Sequence, residues 1–327
     1  MSEEPATRPE LFFCIPIFDD WESASLLLKR IDAAALQQNW KASVLFVDDG
    51  STELDTPLRS FRPAALQQVE ILRLRRNLGH QRAIAIGLAF LAERASPTVV
   101  VMDGDGEDSP EDVARLWQAS SEAGGRRIVF AARTRRTESV TFRVCYVLFK
   151  CVHRVLTGRR VEVGNFSIIP GGLLQRLAGV SELWNHYAAA VFKARLPTLQ
   201  IPIARAQRLK SVSKMNFVSL VIHGLSAISV FSETVGVRLI IATIFLSGLA
   251  VVGLAAVLFT RFFTDLAIPG WATTSAGFFM LTLLNALMLS VLFSFALLQS
   301  RNASSFLPLR DFRNYILEVV KLPLSDE

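Results

Sequence analysis

Six acidic residues stand within ten positions between Asp103 and Asp112, in the run DGDGEDSPED, directly after an apolar segment. Carboxylates at this density repel one another unless a cation compensates their charge, and a hard divalent metal takes oxygen ligands. Glu111 and Asp112 have a second explanation, because acids in the first turn of a helix suit its dipole. We therefore predict a divalent metal site at Asp103, Asp105 and Glu107.

Polar residues also follow three earlier apolar runs, at the point where each run ends. They are Asp19-Asp20, Asp48-Asp49-Gly50-Ser51 and Arg76-Asn77. The chain has no GxxxxGK[ST] sequence, and its GxG at Gly104 and Gly106 is followed by acids that would repel a pyrophosphate. These features argue against the P-loop and dinucleotide-binding classes, and we expect phosphates to be held by metal and by Arg or Lys.

Histidine and cysteine are weaker candidates for chemistry. The four histidines, His80, His153, His186 and His223, include no pair at metal-ligand spacing. His80 and His186 are equally compatible with a binding cleft and with a structural role, and His153 fits a structural role. Three cysteines are too few for a disulfide framework, which fits a reducing compartment. The polar, acidic amino terminus predicts no signal peptide.

Strands and helices alternate through the first half of the chain. Apolar, β-branched runs predict strands at Leu11–Phe18, Ser43–Val47, Val69–Leu74, Val99–Met102 and Ile128–Ala132. Helical patterns separate them, at residues 22–38, 53–61, 79–94 and 110–123. This alternation predicts an α/β fold with a mostly parallel sheet covered on both faces. Because ligands bind beyond the carboxyl ends of such strands, the four polar groups should form one site.

A basic cluster follows this predicted core. Between Arg126 and Arg160 there are ten Lys or Arg residues and one acid, a local charge of +9 against +6 for the whole chain. Such a cluster needs an anionic partner, unless it is only a solvated face. Its apolar neighbours favour a membrane surface over nucleic acid. Helices predicted at Ser139–Leu156 and Asn216–Phe231 would lie in the membrane interface; the alternative is that they are buried core helices.

Two later segments are long and apolar enough to cross a membrane. Leu239–Thr260 and Leu266–Ser300 carry no charged residue, and about twenty apolar residues suffice for one crossing. Their connection, Arg261–Trp271, is short and ends in an aromatic residue of the kind found at membrane interfaces. A basic excess outside the pair predicts that both of its ends face the cytoplasm. The alternative is a helical hairpin buried in a soluble protein.

Four ordered segments together resemble family 2 glycosyltransferases, and more narrowly the polyprenyl-phosphate glycosyltransferases, including dolichol-phosphate mannose synthases. The segments are Ile15-Pro16-Ile17-Phe18-Asp19-Asp20-Trp21-Glu22, Val47-Asp48-Asp49-Gly50-Ser51, Arg76-Asn77-Leu78-Gly79-His80-Gln81 with Gly87-Leu88, and Asp103-Gly104-Asp105-Gly106-Glu107-Asp108-Ser109-Pro110-Glu111. The later run RAQRLKSVSK, from Arg205 to Lys214, is similar to a basic R-x-x-G-x-S-K stretch of that group. The two apolar segments match its membrane-anchored members.

The resemblance implies a GT-A fold, which is a Rossmann-like α/β catalytic domain, and a role for each matching residue. Donor binding would fall to Pro16, Phe18, Asp20, Asp48 and Asp103. A Mg²⁺ or Mn²⁺ ion on the donor diphosphate would be held by Asp103, Asp105 and Glu107. Acceptor or leaving phosphates would be bound by Arg133, Arg143, Arg208 and Lys214. The catalytic candidates are Asp105, Arg133 and Asn165.

Five positions depart from the family pattern. Family members often have Asn-Glu where Asp19-Asp20 stand, Gln at Glu107, Gly at Ser211 and Asp at Asn165. The last departure removes a carboxylate base. A lipid phosphate does not require one, because it is already largely dianionic near neutral pH.

Four parts of the chain are therefore predicted: a nucleotide-sugar-binding core (1–138), an acceptor-side part with interface helices (139–236), two transmembrane helices (237–300) and a cytoplasmic tail (301–327).

The predicted function is inverting transfer of a sugar from a nucleotide-sugar to an undecaprenyl-type polyprenyl phosphate, at the cytoplasmic face of a bacterial inner membrane. The expected partners are these substrates and the bilayer, with no nucleic acid. Formation of a homo-oligomer is left as an open possibility. The alternatives are a same-fold transferase acting on another membrane lipid, such as a diacylglycerol-type acceptor, and a catalytically inactive sugar-nucleotide-binding scaffold.

Overall fold

The computed structural model describes residues 9–94, 97–133, 150–159, 163–210, 217–266, 268, 270–302 and 306–323. The chain forms two compact units. The first comprises residues 1–146, 160–230 and 305–327, and the second comprises residues 147–159 and 231–304. All candidate site residues that the structure describes belong to the first unit.

A mixed sheet forms the centre of the first unit, and eight of its strands lie in the described residues. They are β1 Glu10–Ile17, β2 Lys41–Asp48, β3 Leu66–Leu74, β4 Thr98–Val101, β5 Ile128–Arg133, β6 Ser167–Ile169, β7 Thr198–Ile203 and β8 Ile316–Lys321. Their order in the sheet is β7-β5-β6-β4-β1-β2-β3-β8. The strands β1 to β4 are parallel, as are β5 and β7, whereas β6 and β8 are antiparallel to their neighbours. The predicted α/β fold with a mostly parallel sheet is confirmed.

The central strands are buried on both faces, because helices cover both sides of the sheet. Along β1, Phe13 and Ile15 belong to the same core as Trp21, at the start of the first helix. Cys14 points to the opposite core, which contains Ile84 of the third helix. This alternation follows from the period of two in a strand. Strands buried on both faces read as continuous apolar runs, which is why the sequence predicts them well.

The helices of the first unit begin and end close to the predicted bounds where a prediction exists. They span Trp21–Gln38, Thr56–Arg59, His80–Ala92, Val113–Glu122, Gly171–Ala178, Tyr187–Lys193, Phe217–Ser229 and Pro308–Asp311. Short 3₁₀ turns lie at Pro110–Asp112, Ser181–Trp184 and Phe312–Tyr315. The predicted helix 53–61 is reduced to the single turn 56–59. Of the predicted helix Ser139–Leu156, the described part is helical over residues 150–157.

The chain returns to the first unit after its apolar helices. Residues 316–321 form β8, which pairs antiparallel with β3 through partners such as Leu72 and Val319. For residues 301–327 the sequence predicts a cytoplasmic tail without an assigned role, and it does not predict this strand. Pairing satisfies the backbone groups that β3 would otherwise expose at the edge of the sheet.

The second unit contains the two apolar helices, Ser232–Phe263 and Trp271–Asn302. Both are long and apolar enough to cross a membrane, with mean hydropathies of 2.5 and 2.2 over their most apolar windows. The two helices contact each other: Thr243 Oγ1 of the first lies 2.6 Å from Ser290 Oγ of the second, and the small residues Ala250 and Ala286 are buried. Most of their large apolar side chains are exposed, as helices facing lipid would be.

Candidate active site

The carboxyl ends of β1, β2 and β4 meet at one edge of the sheet. The register places Ile17 beside Asp48 and Cys14 beside Val101. The backbone N–H of Asp49 donates to the carbonyl of Ile17 at 2.9 Å, which joins the two strand ends. The polar groups that follow these strands therefore surround one region, as the sequence predicts for parallel strands.

The residues predicted to line the nucleoside pocket lie at or directly after the ends of β1 and β2. Pro16 is buried within β1, Phe18 is 43% exposed after it, and Asp48 is 4% exposed at the end of β2. One oxygen of Asp48, Oδ1, accepts a hydrogen bond from the backbone N–H of Ser51 at 2.8 Å. Asp20 is half-buried and directly precedes the first helix. The exposed ring offers a stacking face and the carboxylate offers an acceptor, the two features that nucleobase binding uses.

Asp19 holds the loop after β2 in place. Its Oδ1 accepts hydrogen bonds from the backbone N–H groups of Thr52 at 2.8 Å and Glu53 at 3.1 Å. Its own N–H donates to Ser51 Oγ at 3.0 Å. Asp19 has a φ of 46°, in the left-handed region that Asp tolerates better than most residues. Of the pair Asp19-Asp20, the first residue is therefore structural, and Asp20 stays the donor-binding candidate.

Asp49 and Gly50 bring the loop after β2 against the start of the third helix. The two oxygens of Asp49 accept from the backbone N–H groups of Leu78 at 2.7 Å and Gly79 at 2.8 Å. Burial raises the pKa of Asp49 above its ordinary value, although these two hydrogen bonds act to lower it. Gly50 has a φ of 75°, and a Cβ there would lie 2.7 Å from the backbone carbon of Arg76. Both residues are needed for the close approach of these loops.

His80 and Asn165 converge on Asp103. His80 Nε2 lies 3.1 Å and Asn165 Nδ2 lies 3.2 Å from Asp103 Oδ1, and the two nitrogens are 2.9 Å apart. Desolvation acts to lower the pKa of His80, but the charge of Asp103 and the hydrogen bond to it outweigh this effect and raise the pKa. Nε2 of a protonated His80 donates to Asp103, whereas Nε2 of a neutral His80 with its proton on Nδ1 accepts from Asn165 Nδ2. The structure thus places His80 in the site.

Asn165 is held by a buried hydrogen-bond network. It is 8% exposed, and its Oδ1 accepts from Gln81 Nε2 at 3.1 Å. Gln81 Oε1 in turn accepts from the backbone N–H of Tyr187 at 2.7 Å, and Tyr187 OH lies 2.6 Å from Ser167 Oγ. An amide can accept at its oxygen and donate from its nitrogen, whereas a carboxylate could not donate to Asp103. Asn165 therefore fits the position between Gln81 and Asp103.

The acidic loop after β4 is shaped by its own carboxylates. Asp108 is 4% exposed, and its Oδ2 accepts from the backbone N–H of Asp103 at 3.0 Å. Asp105 Oδ1 accepts from the N–H of Glu107 at 3.0 Å. Asp108 therefore closes the loop through a hydrogen bond within it. The carboxylates of Asp103, Asp105 and Glu107 contact residues outside the loop, namely His80 and Arg208.

A basic segment, Arg205–Lys210, docks on this acidic loop. The backbone N–H groups of Ala206 and Leu209 donate to the carbonyls of Glu107 at 3.0 Å and Asp105 at 3.1 Å. Arg208 Nη2 lies 2.9 Å from Asp105 Oδ2, and Arg208 Nε donates to Glu107 Oε1 at 2.9 Å. Arg205 forms a second ion pair with Glu107. The predicted phosphate-binding Arg208 thus lies directly on the predicted metal-binding carboxylates.

The carboxylates of this loop can be tested for their fit to a divalent ion. Within the part of the chain that the structure describes, no three His, Cys, Asp or Glu side chains are grouped closely enough to hold a metal. Mg²⁺ is commonly bound by one or two carboxylates together with substrate phosphates. Asp103 and Asp105 fit that pattern as hard oxygen donors. Glu107 is 11% exposed and paired with two arginines, so its role as a third ligand stays a prediction.

The structure describes some of the remaining candidate residues and not others. Arg133 is the last residue of β5, beside Ile203 of β7. Arg143 and Lys214 lie outside the described residues. His186 is structural, because its side chain accepts from the backbone N–H of Ala189 at 3.4 Å and caps a helix.

Three contributors to the site were missed by the sequence reasoning: Gln81, Tyr187 and Arg205. Gln81 ends the segment Arg76–Gln81, and Arg205 begins the basic run. Both segments resemble family motifs, so the resemblance could have identified these two residues. The partner of Tyr187 could not be found from spacing, because its N–H bonds to a residue 106 positions earlier.

The chain has relatives among known proteins. Residues 12–165 match the family model described as "Glycosyl transferase family 2". An "Uncharacterized glycosyltransferase YkcC" of Bacillus subtilis is 23% identical over 264 residues, covering 79% of this chain and 80% of that protein. An "Undecaprenyl-phosphate 4-deoxy-4-formamido-L-arabinose transferase" of Edwardsiella ictaluri is 28% identical over 231 residues, covering 63% of each chain. The match thus spans less than two thirds of the second relative's length.

Among solved structures, mannosyl-3-phosphoglycerate synthase from Rubrobacter xylanophilus is similar, with a TM-score of 0.49 and 15% sequence identity. The similarity covers 68% of this chain and 72% of that one.

Proposed function

We propose that this chain, whose residues 12–165 match the family 2 glycosyltransferase model, transfers a sugar from a nucleotide-sugar donor to the phosphate of a polyprenyl lipid. The observation that carries the proposal is the docking of Arg208 on Asp105 and Glu107, at the edge of the sheet where β1 and β2 also end. Transfer from a diphosphate needs carboxylates for a divalent ion and cations for phosphate, and this edge supplies both. Relatives named as undecaprenyl-phosphate transferases and the two apolar helices support a polyprenyl phosphate acceptor.

The proposed reaction is a direct displacement. An oxygen of the acceptor phosphate forms a bond to the anomeric carbon as the bond from that carbon to the donor diphosphate breaks, with inversion. The bonding electron pair leaves with the diphosphate. Mg²⁺ or Mn²⁺, when bound, would neutralise that charge. Asp103 and Asp105 would hold the ion, and Asn165 and His80 would orient Asp103 through their contacts with its Oδ1.

Arg208 supplies the cationic part of this site. Its Nη2 is paired with Asp105, while its Nε is paired with Glu107. With an ion held by Asp105, Arg208 would keep Glu107 as its anchor through Nε and would present its Nη groups to phosphate, for which a guanidinium fork is well suited. This gives a role to the Glu at position 107, where family members often have Gln.

The two alternatives fit the site less well. A hydroxyl acceptor, as on a diacylglycerol-type lipid, needs a base to remove its proton, and the amide of Asn165 cannot act as one. The acceptor phosphate is already anionic near neutral pH and needs no such base. A catalytically inactive scaffold would have no need for Asp105 and Glu107 to be concentrated beside Arg205 and Arg208.

Release of nucleoside diphosphate by the purified full chain tests the proposal. A panel of nucleotide-sugars would be supplied with Mg²⁺ or Mn²⁺ and either polyprenyl phosphate, diacylglycerol or no lipid. We expect release that requires both metal and polyprenyl phosphate. Release with diacylglycerol alone would favour the other lipid class, and no release with any donor would favour the scaffold.

We also propose that the two apolar helices cross a bacterial inner membrane and that the catalytic unit is cytoplasmic. Strands β1 to β7 precede these helices in the chain and β8 follows them, yet all belong to one sheet. Both ends of the helix pair must then lie on one side of the membrane. The basic residues Arg238 and Arg310, which stand before the first charge-free span and after the second, favour the cytoplasmic side.

A cysteine introduced at Thr264, between the two helices, should react with a membrane-impermeant maleimide in intact cells. A cysteine at Leu309 should react only after the cells are opened. The parent chain would carry serine at Cys145 and Cys151. Cys14 can remain, because burial raises the pKa of its thiol to about 12 and keeps it in the unreactive form. Labelling at Leu309 in intact cells would contradict the topology.

Asn165→Asp should lower kcat roughly tenfold or more, because it sets a second carboxylate beside Asp103 Oδ1 in a buried position. Asn165→Ala removes the hydrogen bond without adding charge and should be milder. If position 165 instead holds a degraded base, Asn165→Asp would be faster than the parent chain and would add an ionisation to the pH–rate profile. Measuring kcat and acceptor KM from mildly acidic to alkaline pH distinguishes the two.

A further inference from the structure

The strand that follows the apolar helices reaches the donor side of the site. In the pairing of β8 with β3, Glu318 lies directly opposite Arg73. Side chains of directly opposite residues in a strand pair point to the same face and interact. Arg73 Nη1 donates to Glu318 Oε1 at 2.5 Å. Since Arg73 also lies beside Asp48 in the pairing of β3 with β2, the strand end links the tail to the predicted nucleoside pocket.

Arg73 contacts three carboxylates through three different nitrogens. Its Nη1 bonds to Glu318, its Nη2 lies 3.2 Å from Asp55 Oδ2, and its Nε lies 3.8 Å from Asp48 Oδ2. Asp48 and Asp55 are buried, at 4% and 3% exposed, whereas the Glu318 side chain is 47% exposed. Asp55 is also paired with Arg59 at 2.9 Å, so its charge is compensated by two arginines. The charge of buried Asp48 is compensated by Arg73, whereas the largely exposed Glu318 does not depend on this arginine.

The orientation of Arg73 decides how Asp48 is used. A guanidinium is a rigid planar fork, so fixing Nη1 on Glu318 and Nη2 on Asp55 also fixes the position of Nε. At 3.8 Å, Nε gives Asp48 Oδ2 a favourable charge without a direct hydrogen bond. Asp48 Oδ1 is already used by the backbone N–H of Ser51. Oδ2 is then the oxygen of Asp48 that can accept a hydrogen bond from a nucleoside.

We infer that Glu318 is a positioning residue for donor binding: it holds Arg73 so that Asp48 keeps an acceptor oxygen for the nucleoside. Without Glu318, Arg73 can turn towards Asp48, form a direct ion pair and compete with the nucleoside for that oxygen. The inference rests on the proposed function, because that function assigns Asp48 to the nucleoside. It gives the segment after the membrane helices a part in recognising the donor.

Glu318→Ala should raise the Kd for nucleoside diphosphate and the donor KM by about three- to tenfold, the worth of one hydrogen bond. The value of kcat and the acceptor KM should not change, because Glu318 does not touch the reacting groups. Glu318→Gln keeps an oxygen that accepts from Arg73 Nη1, so it should restore most of the donor affinity. Binding would be measured by calorimetry on the full chain with Mg²⁺ and a panel of nucleoside diphosphates, without lipid.

The matched control is Glu93→Gln. Glu93 pairs with Arg313 at 2.7 Å and thereby also ties the segment after the apolar helices to the earlier part of the first unit, but this pair does not involve Arg73. This variant should bind nucleoside diphosphate like the parent chain. An equal loss in Glu93→Gln, or parent-like binding in Glu318→Ala, would overturn the inference while the proposed function stands. A parent chain that binds no nucleoside diphosphate would overturn both.

Discussion

Replacing Asp105 with Asn should lower kcat by about a thousandfold or more, because the proposed ion would lose one of the two carboxylates, Asp103 and Asp105, that are assigned to hold it. The donor diphosphate shares that ion, so donor affinity should fall with metal affinity. Asn keeps the size of the side chain and an oxygen that can accept from the N–H of Glu107, as Asp105 Oδ1 does at 3.0 Å. The loop should therefore keep its shape, and the loss should reflect charge.

The control for this change is Asp112→Asn, in the same acidic run. Asp112 pairs with Arg115 at 3.2 Å and lies at the start of a helix, whereas the ion pairs of Arg208 are with Asp105 and Glu107. It should keep parent activity. Mn²⁺ binding followed by electron paramagnetic resonance, with and without nucleotide, gives a readout independent of turnover. Parent-like turnover of Asp105→Asn in the presence of a chelator would show that the ion is not held there.

Replacing Arg208 with Ala should lower kcat by roughly a hundredfold to a thousandfold, the range found when one donor to developing negative charge is removed. Two effects add in the same direction. The leaving diphosphate loses a guanidinium donor, and Asp105 and Glu107 lose the ion pairs at 2.9 Å that balance their charge. Arg208→Lys should recover only part of the activity, because an ammonium keeps the charge but cannot reach both carboxylates as a fork does.

Lys210→Gln is the matched control for Arg208→Ala. Lys210 belongs to the same basic segment but pairs with Glu22 on an exposed surface, where a salt bridge contributes little. Steady-state kinetics with varied donor and varied acceptor should show a fall in kcat for Arg208→Ala and none for Lys210→Gln. Equal losses in both variants would mean that the segment acts through its net charge. A parent-like kcat in Arg208→Ala would mean that Arg208 does not bind the leaving phosphate.

The position of the site was predictable from local sequence because of the geometry of parallel strands. The groups after β1, β2 and β4 each follow an apolar run, and such strands end at one edge whatever the details of packing. The two apolar helices were predictable for a similar reason, since length and absence of charge suffice. Neither inference needed a contact between distant residues.

The residues that position the site were not predictable in this way. Asn165 meets a residue 84 positions earlier, and Arg73 meets a residue 245 positions later, after the apolar helices have intervened. Nothing in the local pattern of Glu318 distinguishes it from an ordinary acid on an exposed edge strand. Glu107 shows the same limit: an acidic run predicts metal binding, and only the structure places two arginines on it.

The mass of the lipid product tests the central proposal most directly. The purified full chain would be incubated with a panel of nucleotide-sugars, Mg²⁺ or Mn²⁺, and an equal mixture of polyprenyl phosphate and diacylglycerol, and the lipids would be analysed by mass spectrometry. We expect one donor to yield polyprenyl phosphate that is heavier by a single sugar residue, with fragments that place the sugar on the phosphate. A sugar attached to diacylglycerol, or free sugar with unchanged lipids, would contradict the proposal.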